Sequence, residues 1–421
     1  MKLSITNIAK IKDVDIEING LTVLAGENNS GKSTIGKVLF AIFQSFNNPK
    51  SNFYRDRQQS VSRELNELQL ELSMKRLSED IDIDFDNIIS QIISDFDKFD
   101  QVKNTDIIEV LKDTYSTEGY QEKLNSVKKI LSISEETVIN GFLQRTLDLE
   151  FNGQINSVFS RDLGKVELKI KESRISFEID ENKVENVAGV IPLATDIVYI
   201  DNPLIIENFV DSHSFTRTLI KNLENSGTMR AHAQQLEVQF EREPSSNIVD
   251  LTLIKNRFEG IEQLLSKVYD WDLISDNQHI KTTEQKNKLN IKNISSGMKS
   301  FYLIKKLIEN GTIKENGTIV LDEPEVHLHP EWQLIYAEII VLLQKELGLH
   351  ILLSTHSPYF LNAIEVFSKK YGTEDKCKYY LSENNGYYST ITEMTDGNEP
   401  IYKKLAAPLQ YLENVRFSED D

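Results

Sequence analysis

The spacing of apolar residues changes along the first part of the chain. Apolar and polar residues alternate over residues 3–18, which is typical of strands with one buried face. The run at 21–25 is continuously apolar and lies between two glycines, which predicts a strand buried on both faces. Apolar positions then recur every three or four residues over 35–43 and predict an amphipathic helix. The chain therefore opens with strands followed by a strand–turn–helix unit.

The same patterns of apolar spacing divide the remainder of the chain into helical and strand segments. Residues 49–145 are charged, glycine-poor and helical in pattern, and alternation typical of an antiparallel meander returns at 146–180. A short apolar strand is predicted at 197–200 and a second charged, helical stretch at 206–280. From residue 294, helix and strand patterns alternate as in a parallel α/β sheet, so the predicted fold class is α/β.

A glycine-rich segment lies between the buried strand and the helix that follows it, and it matches the pattern G-x-x-x-x-G-K-[ST]. Its glycines let backbone N–H groups turn toward one point, Lys32 would reach the β- and γ-phosphates, and the Ser33 hydroxyl would bind Mg²⁺. We therefore predict a site for the phosphates of a nucleotide. Its residues are Gly26, Glu27, Asn28, Asn29, Ser30, Gly31, Lys32, Ser33 and Thr34.

An apolar, β-branched strand at 318–321 ends in two adjacent carboxylates, Asp322 and Glu323. Asp322 would hold the Mg²⁺ shell, and Glu323 could orient and deprotonate the attacking water. Adjacent strand residues point to opposite faces, but the chain turns where a strand ends, so both carboxylates can face one site.

Two further segments could contact a phosphate. Ser295 and Gly297 precede a predicted helix, and a Ser-Gly turn at a helix start is an anion site. An ordinary helix N-cap uses the same residues, and the motif taken alone favours that interpretation. His356 follows an apolar strand at 350–353, which predicts an imidazole at the carboxyl edge of a parallel sheet, where ligands bind in such folds.

In order and spacing, these four motifs resemble the ATP-binding-cassette class of ATPases, in the branch that includes chromosome-maintenance, break-repair and recombination-mediator ATPases. The resemblance implies a P-loop ATPase head with a mixed sheet, an antiparallel subdomain and helical insertions. It implies ATP sandwiched head-to-tail in a homodimer or higher homo-oligomer, with Ser295 and Gly297 as signature residues. It also implies His356 at the γ-phosphate, Asp322 at Mg²⁺ and Glu323 as the catalytic base.

The chain departs from the family pattern in two respects. The usual Leu-Ser-Gly-Gly-Gln signature is Ile-Ser-Ser-Gly-Met here, with Ser296 in place of glycine and Met298 in place of glutamine. The glutamine that normally follows an early strand is not evident, and Gln154 is one candidate.

The length of the chain suggests two to three domains. We expect an ATPase head from 1–48, 146–205 and 281–366, a helical insertion at 49–145, a helical subdomain at 206–280, and a β-hairpin and helix at 367–421 that complete the head.

A narrower resemblance comes from the segments 322–330 and 354–358, which are similar to the overcoming-lysogenisation-defect nucleases and to stand-alone ATPases of anti-phage systems, among them the Septu ATPase subunit. His327 and His329 could form a metal pair, but two ligands before a proline turn favour a structural role. In the nuclease members a metal-dependent domain follows the ATPase, whereas 55 residues follow Val366 here. We therefore expect a separate nuclease partner, of the HNH type.

The amino-acid composition limits which kinds of partner the protein could bind. With 47 basic and 66 acidic side chains the formal net charge is −19, which excludes a uniformly basic nucleic-acid coat and disfavours an anionic membrane surface. The single cysteine, Cys377, fits a reducing compartment, and we expect a cytoplasmic protein without a membrane partner.

Lysines nevertheless concentrate around the signature, where residues 281–306 carry seven lysines against Glu284 alone. The simpler interpretation is a surface that faces phosphate or a second head, and the alternative is a track for the DNA backbone. DNA therefore stays a candidate partner.

Three functions are compatible with these features. The first is an ATPase that senses infection and regulates a separate nuclease in anti-phage defence. The second is a DNA repair or chromosome-maintenance ATPase that acts on DNA directly. The third is an oligomeric scaffold that binds ATP and hydrolyses little of it.

Overall fold

The computed structural model describes most of the 421-residue chain. The described residues are 1–47, 49–65, 117–189, 191, 193, 195–207, 231–243, 248–268, 271–273, 279–282 and 288–418. The chain forms two compact units, a larger one from 1–47, 142–222 and 229–421 and a smaller one from 48–141 and 223–228.

Strands and helices account for most of the described residues. The strands are β1 (Lys2–Ile8), β2 (Ile11–Glu17), β3 (Leu21–Gly26), β4 (Gly164–Ile170), β5 (Ser173–Asp180), β6 (Lys183–Gly189), β7 (Ile197–Ile200), β8 (Trp271–Leu273), β9 (His279–Thr282), β10 (Lys288–Asn290), β11 (Thr318–Asp322), β12 (His350–Thr355), β13 (Cys377–Asn385) and β14 (Tyr388–Glu393). The helices are α1 (Lys32–Phe46), α2 (Pro49–Glu64), α3 (Thr117–Ser132), α4 (Glu135–Phe151), α5 (His232–Glu241), α6 (Ile248–Val268), α7 (Ser296–Glu309), α8 (Pro330–Leu347), α9 (Pro358–Tyr371) and α10 (Glu399–Ser418).

The larger unit is organised around one mixed sheet of eleven strands, in the order β6-β5-β4-β1-β2-β14-β13-β3-β12-β11-β7. Strands β13, β3, β12, β11 and β7 are parallel, and the strands from β6 to β2 pair antiparallel. The predicted α/β class, with a mixed sheet and an antiparallel subdomain, is confirmed. None of the helices in the described ranges is both long and apolar enough to span a membrane.

Burial explains why the parallel strands read as continuous apolar runs. Every residue of β3 is buried, as are the first four of β11. Helices α6 to α9 contribute apolar side chains to the core that contains these strands. Helix α1 also packs against the sheet, where a Cβ added at Gly36 would lie 2.8 Å from Val320 and 3.0 Å from the hydroxyl of Tyr199.

The alternation predicted at 146–180 is partly wrong, because 146–151 are the last residues of α4. Thr146, Leu147 and Glu150 are buried with Phe142 and Leu143, and these positions share one face of a helix. Three alternating residues fit a helix as well as a strand. The strands of this lobe begin only at residue 164.

The helical prediction for 206–280 is also incomplete. Helices α5 and α6 lie there, but β8 and β9 follow α6 and pair with β10 in a separate antiparallel sheet. Strands of three or four residues are too short to show a period of their own.

The smaller unit is helical in its described part. Helices α2 and α3 share buried residues that include Val61 and Leu131, and the Arg57 guanidinium donates to the carbonyls of Leu131 at 2.8 Å and Ile133 at 2.6 Å. Residues 66–116 lie outside the described residues, so the predicted limits of the insertion, 49–145, stay a prediction.

The hairpin of β13 and β14 supports the glycine-rich loop from one side. Strand β13 pairs in parallel with β3 up to Gly26, and the Ser382 hydroxyl donates to the Ser30 carbonyl at 2.7 Å. A Cβ at Gly26 would lie 1.9 Å from the carbonyl oxygen of Ser382. The close approach of the two backbones therefore requires glycine at this position.

Replacing Gly26 with alanine should lower the free energy of unfolding by about 1–3 kcal/mol, because the new methyl group overlaps the β13 backbone. Chemical denaturation measures the loss. Gly260→Ala in the exposed face of α6 is the control, since nothing lies within 4 Å of its Cβ position, and it should be neutral or stabilising. Equal stability of the Gly26→Ala and wild-type proteins would contradict this packing.

Candidate nucleotide site

Parallel pairing brings the predicted site segments to one edge of the sheet. Leu21 of β3 is level with Ile351 of β12, and Ile351 is level with Ile319 of β11. The glycine-rich loop, the Asp322-Glu323 pair and the loop of His356 follow these three strands directly. Three of the four predicted motifs are thus neighbours in space.

The glycine-rich loop turns from β3 into α1 with Gly31 as the N-cap residue. Gly31 has a φ of 86°, in the left-handed region that favours glycine, and its Cβ position is 3.0 Å from the Ile11 side chain. The Ser30 hydroxyl donates to the Glu27 carbonyl at 2.6 Å. The first residues of α1 are Lys32, Ser33 and Thr34, so their N–H groups lie at the positive end of the helix.

The ammonium group of Lys32 is enclosed by the loop. Its Nζ donates to the carbonyls of Gly26 at 3.0 Å and Glu27 at 2.7 Å, and it lies 3.7 Å from Oε1 of Glu323. Burial lowers the pKa of Lys32, and the neighbouring carboxylates of Glu323 and Asp322 offset only part of this effect. A phosphate would supply the full negative partner that these carbonyls lack.

Asp322 and Glu323 face the same side because the backbone reverses between them. Glu323 has a φ of 50°, an uncommon conformation for a non-glycine residue that is often found at functional sites. Its N–H is held by both the carbonyl and the hydroxyl of Ser354, each at 3.1 Å. Asp322 accepts hydrogen bonds from the hydroxyls of Ser354 and Tyr199, the latter at 3.2 Å.

His356 lies beside the glutamate that the sequence predicts as catalytic base. Its Nδ1 is 3.5 Å from Oε2 of Glu323 and 3.9 Å from Oε1 of Glu325. Glu325 is buried and accepts from the Thr355 hydroxyl at 2.5 Å and the His356 N–H at 3.2 Å, and burial raises its pKa. Glu325, which the sequence analysis did not single out, therefore ties the loops after β11 and β12 together.

A cavity of about 240 Å³ opens beside these carboxylates, and its lining includes Ser33, Asp201, Asp322 and Glu323. The Ser33 hydroxyl and the Asp322 carboxylate are oxygen donors of the kind that Mg²⁺ prefers. Within the described residues no cluster of three or more His, Cys, Asp or Glu could hold a metal. This donor set fits Mg²⁺, which is commonly bound by one or two protein oxygens, water and substrate phosphates.

The signature residues lie at the start of α7, and Ser300 of the same helix lines the cavity. Ser295 caps α7 by accepting from the Met298 N–H at 3.3 Å, as the N-cap interpretation predicts. Gly297 has no room for a side chain, since a Cβ would lie 2.9 Å from the His327 carbonyl and 3.1 Å from the Trp332 ring. Neither Ser295 nor Gly297 lines the cavity beside Ser33.

The lysines near the signature do not all face outward. Lys299 is buried and forms an ion pair with Glu207 at 2.6 Å. Lys306 is buried as well, and Lys305 pairs with Glu309 at 3.6 Å. A continuous track for the DNA backbone along α7 is therefore not formed by these three residues.

The structure does not bring Gln154 to the site. It lies in the turn after α4, where its N–H donates to the Phe151 carbonyl, and it lines a second cavity with Arg161 and Asn182. Asp201 instead follows β7, the strand beside β11, and lines the cavity with Ser33. The sequence signal that could have identified Asp201 was a carboxylate directly after a buried strand.

A half-buried histidine, His232, lies next to Asp201. The ring of His232 is 2.7 Å from Oε2 of Glu150 and 3.0 Å from Oδ2 of Asp201. Burial would lower the pKa of His232, but the hydrogen bonds to Asp201 and Glu150 outweigh burial and raise it to about 9. The same hydrogen bond lowers the pKa of Asp201 against the effect of its burial.

Comparison with known proteins gives the family. A family described as "AAA domain, putative AbiEii toxin, Type IV TA system" matches residues 21–362. The chain belongs to this family. The matched range includes the glycine-rich loop, Asp322, Glu323 and His356.

Individual relatives are more distant. Endonuclease GajA of Bacillus cereus (strain HuB5-5) is 22% identical over 409 residues, which cover 89% of this chain and 56% of the relative. The chain thus spans little more than half the length of that protein.

Two solved structures are also similar over most of the chain. The SmcHead bound to the C-winged helix domain of ScpA is 14% identical, with a TM-score of 0.46, and the match covers 95% of this chain and 98% of that one. The SMC head domain from Thermotoga maritima is 12% identical, with a TM-score of 0.40 and coverage of 93% and 98%.

The hydrogen bonds of His232 predict a pH-dependent stability. Because the pKa of His232 is raised from 6.5 to about 9 in the folded protein, its contribution is complete below pH 6.5 and is lost as the pH rises through about 9. The loss should approach about 3 kcal/mol. Urea denaturation between pH 6 and 10 measures it.

Comparing two variants isolates the effect. His232→Gln should remove this part of the pH dependence, whereas His329→Gln, at an exposed position, should keep it. The assignment is wrong if wild type and His232→Gln lose stability equally over this range.

Proposed function

We propose that the protein is an ATPase that binds ATP with Mg²⁺ at the edge of the parallel strands and hydrolyses it. One observation carries the proposal: Glu323 lies between Lys32 at 3.7 Å and His356 at 3.5 Å, beside the cavity that Ser33 and Asp322 line. A carboxylate, a phosphate-binding ammonium and an imidazole at one sheet edge are what phosphoryl transfer to water requires.

In this proposal each side chain has one task. Lys32 leaves the loop carbonyls to bind the β- and γ-phosphates, and Ser33 and Asp322 hold Mg²⁺, which neutralises phosphate charge when bound. Glu323 orients the attacking water and accepts its proton, and His356 contacts the γ-phosphate.

We further propose that ATP closes two heads in a head-to-tail homodimer or higher oligomer. Ser295 and Gly297 would contact the γ-phosphate from a second copy. Neither residue lines the cavity beside Ser33 in its own chain, which leaves this contact to a second copy in the proposal. The α7 N-terminus that Ser295 caps has the positive end needed to bind an anion.

The biological role that we favour is the regulation of a separate nuclease in anti-phage defence, as in the Septu system. The similarity to Endonuclease GajA supports a role connected with a nuclease. A partner of the HNH type and a cytoplasmic location are part of this proposal, and DNA stays a candidate partner. A scaffold that binds ATP without hydrolysing it is the alternative, favoured by Ser296 and Met298 in the signature.

Lys32→Ala should abolish ATP binding, because it removes the ammonium that the Gly26 and Glu27 carbonyls enclose and that is proposed to bind the β- and γ-phosphates. Titration calorimetry with ATP and Mg²⁺ measures it. Lys165→Ala, on an exposed face of β4, is the control and should bind as wild type does. Wild-type affinity in Lys32→Ala would exclude this loop as the phosphate site.

Glu323→Gln should lower ATP turnover by about 10²-fold or more while leaving ATP bound, because the amide cannot accept the proton of water. Steady-state phosphate release measures turnover, with Glu346→Gln in the exposed last turn of α8 as the control. If the wild type binds ATP but releases no phosphate, the scaffold function holds instead.

The Glu323→Gln protein should also form an ATP-dependent dimer, because it traps the state before hydrolysis. Light scattering with and without ATP gives the mass. Adding Ser295→Arg should prevent the dimer by filling the signature surface with a long side chain. A monomer in Glu323→Gln at saturating ATP would contradict the head-to-tail arrangement.

A further inference from the structure

Asp201 occupies the outermost position of the edge that carries the site. It follows β7, whose Ile200 is level with Leu321 of β11, so Asp201 stands beside Asp322 at the same edge. Its side chain is 39% exposed, and the residue lines the cavity with Ser33, Asp322 and Glu323. An exposed carboxylate at the mouth of a cavity needs a fixed partner if it is to hold one direction.

His232 is that partner. Both of its ring nitrogens face carboxylates, Nε2 toward Asp201 and Nδ1 toward Glu150, and both must donate because an ionised carboxylate only accepts. The backbone N–H of His232 donates to the other oxygen of Glu150 at 2.7 Å. The Glu150 side chain is fully buried, so the imidazole is anchored from the interior and presents one N–H outward to Asp201.

The same ring also supports the metal-side aspartate. The Tyr199 ring stacks on His232, with centroids 4.3 Å apart and planes at 24°. The Tyr199 hydroxyl donates to Oδ2 of Asp322. Phe40 of α1 packs edge-on against both rings, and Lys37 of α1 donates to the Glu150 carbonyl at 3.1 Å. The histidine thus contacts one carboxylate of the cavity directly and another through a tyrosine.

We propose that His232 is a positioning residue for the metal side of the nucleotide site, which holds the Asp201 carboxylate toward the cavity and, through Tyr199, fixes the Asp322 carboxylate. With metal bound, Asp201 would accept hydrogen bonds from water there. The inference rests on the proposed function, because it requires nucleotide and metal at this cavity. Partners of this kind orient the groups that bind a metal and raise its affinity.

The test measures metal affinity without turnover. Mn²⁺ is titrated into the full-length protein with bound ATPγS, a slowly hydrolysed analogue, and free Mn²⁺ is followed by electron paramagnetic resonance. His232→Gln should raise the Kd for Mn²⁺ about tenfold. Its Kd for ATPγS in the presence of EDTA should equal that of wild type, since Lys32 and the glycine-rich loop are untouched. His329→Gln is the matched control and should keep the wild-type Mn²⁺ affinity.

A double-mutant cycle separates positioning from general support of the fold. Asp201→Asn should weaken Mn²⁺ binding similarly, and the double variant should be no weaker than either single variant, because both changes remove one interaction. Additive losses would overturn the proposal, as would wild-type Mn²⁺ affinity in folded His232→Gln. If His232→Gln does not fold, Asp201→Asn alone decides, and retention of Mn²⁺ affinity in it overturns the proposal.

Failure of the proposed ATPase function would give a different experimental result. If wild-type protein does not bind ATPγS with or without metal, the proposed ATPase function fails and this inference fails with it. If wild-type protein binds both ATPγS and Mn²⁺ while the variants do the same, only the role of His232 is wrong.

Discussion

Parallel backbone pairing of β7, β11, β12 and β3 is the constraint on which the site depends. Parallel strands end at a common edge, so the segments that follow them meet whatever their separation in sequence. Asp201, Asp322, His356 and the loop before Lys32 come from four distant stretches of chain and share this edge. The near-complete burial of β3 and β11 fixes these strands in the core beneath this edge.

Charged side chains are concentrated at that edge, and hydrogen-bond and ion-pair partners stabilise them there. The Lys32 ammonium is held by two loop carbonyls and lies near Glu323. Asp322 has two hydroxyl donors, and the Asp201 carboxylate has His232. Carboxylates that are fixed before a ligand arrives need little reorganisation during a reaction, which is the basis of electrostatic catalysis. The left-handed backbone at Glu323 belongs to the same arrangement, since it turns the glutamate toward Lys32 and His356.

Local patterns predicted the parts of this site that a continuous segment of chain encodes. The glycine-rich loop, the apolar strand ending in Asp322 and Glu323, and the strand before His356 are each complete within a few residues. The predicted hairpin near the carboxyl end is present as β13 and β14, but its insertion between β2 and β3, where it supports Gly26, has no local signature. A short pattern gave a wrong prediction where the same apolar spacing fits both a helix and a strand, as in the last turn of α4.

By itself, the sequence determined the α/β class, the strand–loop–helix unit near its start and the residue types of the loop and of the paired carboxylates, because these follow from apolar periodicity and from residue types at fixed spacing. Only the tertiary structure decided what surrounds them. Glu150, Asp201 and His232 lie far apart in the chain and form one cluster, and Gln154 lies in a different cavity. The physical reason is that a hydrogen bond between distant residues depends on strand order and helix packing, which no window of neighbouring residues contains.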